Sequence, residues 1–304
     1  MSALMEHNWP GTRETKHVRA LLTWDELMAV AKAPKRSGNF RERSSEGTDR
    51  GKFYSLPSYT DAVTAMERGY PKGLEAISGT IDAIQTGAAL NRIVYQRLDV
   101  AGDRPVVPLA AAGEPRSMIR RARHAPVARP TVSIVDNVIC PSFCHEASLR
   151  NRGAAILAWA LALETAGVGT EIRTVYAGGR PRGQSGARPN QEEAILTVLV
   201  KGFGEAFDID RLSFALACPD FMRRINFMLL ECCNGIPGMA NGYGSCFDPL
   251  PEELPPDAVY IAAMMDERNY STPALALKTV RERIIQGAPH LRHALESEQL
   301  ARAV

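Results

Sequence analysis

The sequence predicts an α/β fold: a mainly parallel sheet covered by helices on both faces, preceded by an N-terminal helical region and a small β-hairpin. Three observations carry this. From Thr131 onward, strand-like and helix-like stretches alternate, the pattern that builds layered sheets with crossover helices. The stretches 131–139 and 194–200 are apolar or β-branched with little polar alternation, which requires cover on both faces. The segment 147–166 is apolar nearly all round in its second half, as expected of a buried helix. The chain has 304 residues, 45% of them hydrophobic and 23% charged. That balance supports a real core and excludes a disordered chain, a collagen-like fibre and a disulfide-stapled miniprotein.

The elements follow in order. Thr23 and Glu26 form a capping box that opens a short helix ending near Ala33. Residues 34–56 are rich in Arg, Ser and Gly and read as a mobile linker. A second helix spans about 59–68, and a third follows Pro71 with Leu74, Ile77, Ile81 and Ile84 at near-helical spacing. Ile93–Tyr95 and Leu98–Val100 predict a strand, Gly102-Asp103 a turn, and Val106, Val107 and Leu109 a strand pairing back as a hairpin. Residues 115–130 carry five Arg and no acid and read as a basic connection. Then come a strand at 131–139, a helix at 147–166 closed by Gly167, a strand at 171–176, a Gly/Pro/Arg loop through Asn190, and a strand at 194–200. A helix at 208–218 and strands at 225–230 and 258–264 complete the alternation. Thr272, Pro273 and Gly287 bound a last helix. The division is therefore a flexible N-terminal segment with one short helix (1–56), a helical region with hairpin and basic linker (57–125), and an α/β domain (130–304).

Thirty-six basic against 34 acidic residues leave a net charge of +2, which argues against coating nucleic acid through bulk charge. The first fifteen residues lack an apolar core of the secretory kind. The longest apolar run, 154–163, is too short to span a bilayer. The six cysteines show no framework spacing. A location in the cytoplasm of a bacterial host, or in a virion, with reduced thiols and no membrane partner, is expected.

Two stretches resemble the von Willebrand factor A-like domain, especially its cobaltochelatase version. V-S-I-V-D-N (132–137) with R-G-A-A-I-L-A-W-A-L-A-L-E-T-A-G-V-G-T-E-I (152–172) is similar to that fold's first strand, first helix and second strand. C-P-D-F-M-R-R-I-N-F-M-L-L-E (218–231) is similar to a helix end and the fourth strand. The resemblance implies an A-domain-like, Rossmann-like core over about 131–265. The whole chain also resembles an uncharacterised family encoded by tailed phages and bacterial mobile elements, through L-D-V-A-G-D-R-P-V-V-P-L-A-A-A-G-E-P-R-S-M (98–118), N-R-G-A-A (151–155), L-E-T-A-G (163–167) and F-M-R-R-I-N-F (221–227). That implies a genomic setting and not a mechanism.

Metal-binding A-domains carry Asp-x-Ser-x-Ser after the first strand, because Mg²⁺ takes hard oxygen donors. Here Asp136 stands first, but Val138 and Cys140 replace the serines, and a thiolate is a poor Mg²⁺ ligand. A degenerate, metal-free site follows, with Asp136, Asn137, Ser142, Asn234 and Asp266 as a binding crevice at the sheet's carboxyl end. Cys140, Cys144 and His145 form the most site-like cluster, open to zinc with Cys232, Cys233 or Cys246 completing the shell, to a nucleophilic cysteine paired with histidine, or to plain burial. A basic patch is assembled from Arg116, Arg120, Arg121, Arg123, Arg180, Arg182 and Arg188, without aromatic residues for base stacking.

The expected function is a non-enzymatic protein-interaction or assembly module of phage or mobile-element origin, without cofactor, bound to a protein partner or to its own copies. Two rivals remain open: a nucleic-acid-binding accessory using the Arg-rich loops, and a metal-dependent enzyme using Asp136, Ser142 and Asp266.

Overall fold

A computed structural model of the chain describes residues 4–7, 17–35, 44, 54–73, 75, 76, 78, 96–99, 104–105, 118–121, 130–179, 193–232 and 245–292. In chain order the elements are β1 (Leu4–His7), β2 (His17–Thr23), α1 (Trp24–Lys32), α2 (Tyr59–Arg68), β3 (Gln96–Asp99), β4 (Arg104–Pro105), β5 (Met118–Arg121), β6 (Thr131–Asn137), α3 (Glu146–Thr165), β7 (Gly169–Gly179), β8 (Glu193–Lys201) and α4 (Ile209–Ala217). A π-helix (Phe221–Asn226) runs into α5 (Phe227–Cys232), followed by β9 (Ser245–Cys246), β10 (Val259–Ile261) and α6 (Pro273–Gly287).

The main sheet runs β1-β2-β8-β7-β6-β10, with β9 added to β7. Among its five central strands, β2–β8, β7–β6 and β6–β10 pair in parallel and β8–β7 antiparallel. The fold is thus mixed α/β with a mostly parallel central sheet. Strand alternation assigns two faces. Ala20, Leu22, Val132, Ile134, Ile172, Tyr176, Leu196, Val198, Val259 and Ile261 join the main core with the buried sides of the helices. On the other face, Val135, Val175, Ala177 and Ile195 form a small cluster packed by Phe247, Leu254, Ala258 and Tyr260.

Local chemistry explains the helices. Thr23 accepts from the Glu26 N–H at 3.3 Å, and Glu26 accepts from the Thr23 N–H at 2.8 Å, so the expected capping box forms. Ser58, Asp208 and Thr272 cap α2, α4 and α6 through their side chains. Helix α3 is buried over most of its circumference because it lies between the sheet, α4 and α6. Its Gly153 permits the approach to α4: a Cβ there would sit 2.3 Å from the Leu216 carbonyl oxygen. Trp159 is fully buried and donates its indole N–H to the Leu277 carbonyl at 2.9 Å, tying α3 to α6.

Several expectations are corrected. The N-terminal segment contributes β1 and β2 as well as a helix, and β2 lies inside the main sheet against β8. The linker assigned to 34–56 is anchored where it is described: Ser44 is fully buried and donates to Glu231, and the Ser55 and Leu56 N–H groups donate to Asp220 at 2.7 and 3.0 Å. The strand expected at 225–230 is helical, because an apolar run buried on every side has no period to separate strand from helix. Strands β7 and β8 pair antiparallel, the exception to parallel pairing among the five central strands. Strand β3 pairs with β5, which also pairs with β4. The hairpin partner expected at 106–109, the helix after Pro71 at its apolar positions, and the strand at 93–95 lie outside the described residues. Among the described residues no helix is long and apolar enough to cross a membrane.

Candidate functional site

The carboxyl ends of β6 and β10 lie side by side, Asp136 opposite Ile261. Alternation sends Asp136 toward the helical face and Asn137 toward the other. Asp136 is 2% exposed and meets Arg152, from the second turn of α3, in a buried ion pair. The same guanidinium nitrogen, Nη2, donates to the carbonyls of Asn137 at 2.9 Å and Ile261 at 3.3 Å, so one arginine ties both strand ends to α3. The Tyr270 ring lies 5.6 Å from its guanidinium carbon. Its Nε and Nη1 have no hydrogen-bond partner. Burial raises the Asp136 carboxyl, and the charge of Arg152 opposes that rise. A cavity of about 20 Å³, lined in part by Asp136, Arg152, Leu149, Cys218 and Met222, adjoins the pair. That is about the volume of one water.

On the opposite face Asn137 is fully buried. Its Nδ2 donates to the Phe247 carbonyl and to the Tyr260 hydroxyl oxygen, both at 2.9 Å. The Tyr260 hydroxyl donates to Asp248 at 2.6 Å, and burial followed by that carboxylate pushes the phenol well above its ordinary range.

Beyond β6 the chain turns through Cys140–His145. Cys140 and Cys144 are buried. Arg223, from the π-helix, donates through Nη2 to the Cys140 sulfur at 3.7 Å and to the Cys144 carbonyl at 3.4 Å. The Cys144 thiol donates to the Met264 carbonyl at 3.4 Å. The His145 N–H, at the start of α3, donates to Glu267 at 2.7 Å, and its imidazole is 3.7 Å from the same carboxylate. The loops after β6 and β10 are therefore joined. Each presents a large apolar side chain beside the junction, Phe143 at 67% and Met265 at 56% exposure.

The π-helix holds a second buried pair. Asp220 and Arg224 are fully buried, with Nε to Oδ1 at 2.7 Å. Arg224 also donates to the carbonyls of Ser44 and Leu56 at 3.1 Å each, and its guanidinium lies 4.1 Å from the Tyr54 ring centre. Short π-helical segments recur at functional sites. Here the segment aims Arg223 at the Cys140 loop and Arg224 at the N-terminal segment.

The expected crevice residues are thus dispersed. Asp136 and Asn137 are buried on opposite faces. Ser142 is exposed. Asp266 is exposed, caps the turn at Glu267–Tyr270 and pairs with Arg268, which lowers its carboxyl to about 2. The two acids do not share a ligand: each is matched to its own arginine. Cys233, Asn234, Arg116, Arg123, Arg180, Arg182 and Arg188 lie outside the described residues, while Arg120 and Arg121 fall on β5 instead of in a connecting segment. The donor set does not fit the Mg²⁺ of metal-binding A-domains, because a buried guanidinium already occupies the Asp136 carboxylate. Nor are Cys140, Cys144 and His145 gathered as a zinc shell: the two cysteines share the Arg223 guanidinium, while His145 faces Glu267. Among the described residues no group of three or more His, Cys, Asp or Glu is placed to hold a metal.

Sequence reasoning missed Arg152, Arg223, Arg224 and Asp220. The signal for the last three was present as charges inside the apolar run 218–231, since a charged residue is seldom fully buried without a partner.

The sequence model of a family described as a domain of unknown function (DUF7192) matches residues 11–285. No curated protein and no solved structure matches the chain.

Proposed function

We propose that this chain, which belongs to the DUF7192 family, is a non-enzymatic interaction or assembly module that binds a protein through the joined loops at the carboxyl end of β6 and β10. The observation that carries the reading is the exposure of Phe143 and Met265 on two loops pinned together by the Cys144–Met264 and His145–Glu267 contacts. Large apolar side chains held in water on a rigid edge suit a protein contact better than a solvent-facing turn. The Asp136–Arg152 pair supports the same reading. In an A-domain-like core covered by helices, a fixed guanidinium replaces the cation as the charge that orders the strand ends, so that the pocket is structural. In the phage or mobile-element setting that the resemblance implies, the partner is a protein of that element or a second copy of this chain, met in the host cytoplasm or the virion.

Light scattering after size exclusion, joined to capture from cells carrying the element, tests this. The expected result is a dimer or a defined complex that Phe143→Ser with Met265→Ser abolishes while the circular dichroism spectrum is kept. A strict monomer without a partner under both conditions overturns it.

A further inference from the structure

We propose that Cys140 and Cys144 form an oxidisable dithiol, in which Cys140 reacts with a hydroperoxide and Cys144 resolves the product into a disulfide. The two thiols lie in one five-residue loop between β6 and α3. The Cys144 N–H donates to the Pro141 carbonyl at 3.2 Å, a turn that folds residue 144 back toward the strand end. One guanidinium, that of Arg223, touches both residues, at the Cys140 sulfur and the Cys144 carbonyl. The charged and titratable groups that face the pair are Arg223 and Arg152, which favour a thiolate at Cys140, together with Cys246 beside Cys140 and Glu267 beside Cys144. Ser142, Phe143 and His145 of the same loop are exposed, so only a short stretch of chain separates the sulfurs from water.

The surroundings separate Cys140 from Cys246 and Cys218. The Cys144 thiol, once turned from the Met264 carbonyl to the Cys140 sulfur, and then the two arginines bring Cys140 down to about 7 against the effect of burial. Burial raises Cys246 to about 11, and burial with Asp220 raises Cys218. A thiolate in an electropositive setting is the reactive form of cysteine.

The chemistry balances as two steps. The Cys140 thiolate attacks one oxygen of the hydroperoxide. An S–O bond forms, the O–O bond breaks, and the leaving alkoxide or hydroxide takes a proton from water. Sulfur is oxidised by two electrons and the peroxide is reduced. The Cys144 sulfur then attacks the Cys140 sulfenic acid. An S–S bond forms, the S–O bond breaks, and the departing hydroxide leaves as water with the Cys144 proton. Loss of negative charge from Cys140 in the first step removes the main influence that holds the Cys144 thiol protonated.

The test uses the full reduced chain, limiting hydrogen peroxide near neutral pH, alkylation of the remaining thiols, and mass mapping of the tryptic peptide that ends at Arg150 and holds both cysteines. The expected product is that peptide lighter by two hydrogens and unalkylated, formed roughly tenfold or more faster than any oxidation at Cys246. Cys144→Ser stops the reaction at a sulfenic acid on Cys140 that dimedone traps, and Cys140→Ser abolishes both products. Oxidation of Cys140 no faster than that of Cys246 in the unaltered chain overturns the proposal. So does a disulfide that forms only between chains. The readout needs no binding partner, so its outcome is independent of the interaction reading.

Discussion

Replacing Arg152 with Met strips the buried Asp136 of its counter-charge. Removing one member of a buried ion pair costs about 3–5 kcal/mol, because the remaining charge stays desolvated. The Asn137 and Ile261 carbonyls lose a donor as well, at about 1 kcal/mol each. Against this, the unpartnered Nε and Nη1 of Arg152 leave with the side chain and relieve about 1–3 kcal/mol of unmet hydrogen bonding. The net expectation stays at about 3–5 kcal/mol. With a urea m-value of about 3 kcal/mol/M, the unfolding midpoint falls by about 1–1.7 M. Asp136→Leu together with Arg152→Met places apolar groups on both sides and recovers most of the loss, so the double-mutant cycle shows a coupling above about 2 kcal/mol. A midpoint shift under about 0.3 M for Arg152→Met, or a double variant as unstable as the two single losses added, refutes the assignment of this pair as the fastening of the strand ends.

Two further outcomes follow from the same packing. Gly153→Ala drives a methyl into the Leu216 backbone; overpacking of about 1–3 kcal/mol lowers the melting temperature by several degrees, and an unchanged melt contradicts the α3–α4 contact. Burial raises the Glu146 and Glu164 carboxyls, but Tyr70, Lys72 and Arg150 on the first, and Lys201 and Thr170 on the second, outweigh it, so both titrate below the ordinary 4.5. A depressed folded value gives stability that is present above 4.5 and lost as pH falls through the folded value. Glu146→Gln with Glu164→Gln therefore flattens the acid limb of an unfolding curve below about pH 5; an acid limb as steep as that of the unaltered chain refutes it.

The sequence was most readable where a local signal and the tertiary outcome agree. The box at Thr23 and Glu26 is closed by neighbours three residues apart, and the stretch read as a strand at 131–139 is β-branched at six of its nine positions, so both were legible. Strand β2 left a weaker trace: Ala20 and Leu22 face the core while Leu21 is 59% exposed, a period of two over too few residues to outweigh the polar surroundings. At 225–230 the apolar run gave no period, and with a helix read only to 218 and a strand from 225, the four-residue spacing that pairs Asp220 with Arg224 fell in no predicted helix. The Asp136–Arg152 pair joins a strand to a helix, and no spacing along the chain announces such a meeting. Phe143 was equally silent, since an aromatic residue between two cysteines gives no hint of which of the three faces water.

The parallel partnership of residues 17–23 with residues 193–201 sets an order of events during synthesis. At about 5–20 residues per second, the ribosome needs roughly ten to thirty-five seconds to deliver the second segment after the first. Over that interval the partner available to it among the described strands is its short antiparallel neighbour at Leu4–His7, and the edge that later meets residues 193–201 is open to any extended chain nearby. A nascent polypeptide stalled before residue 193 carries that open edge indefinitely, which makes premature termination in this gene a source of aggregates as well as of lost product.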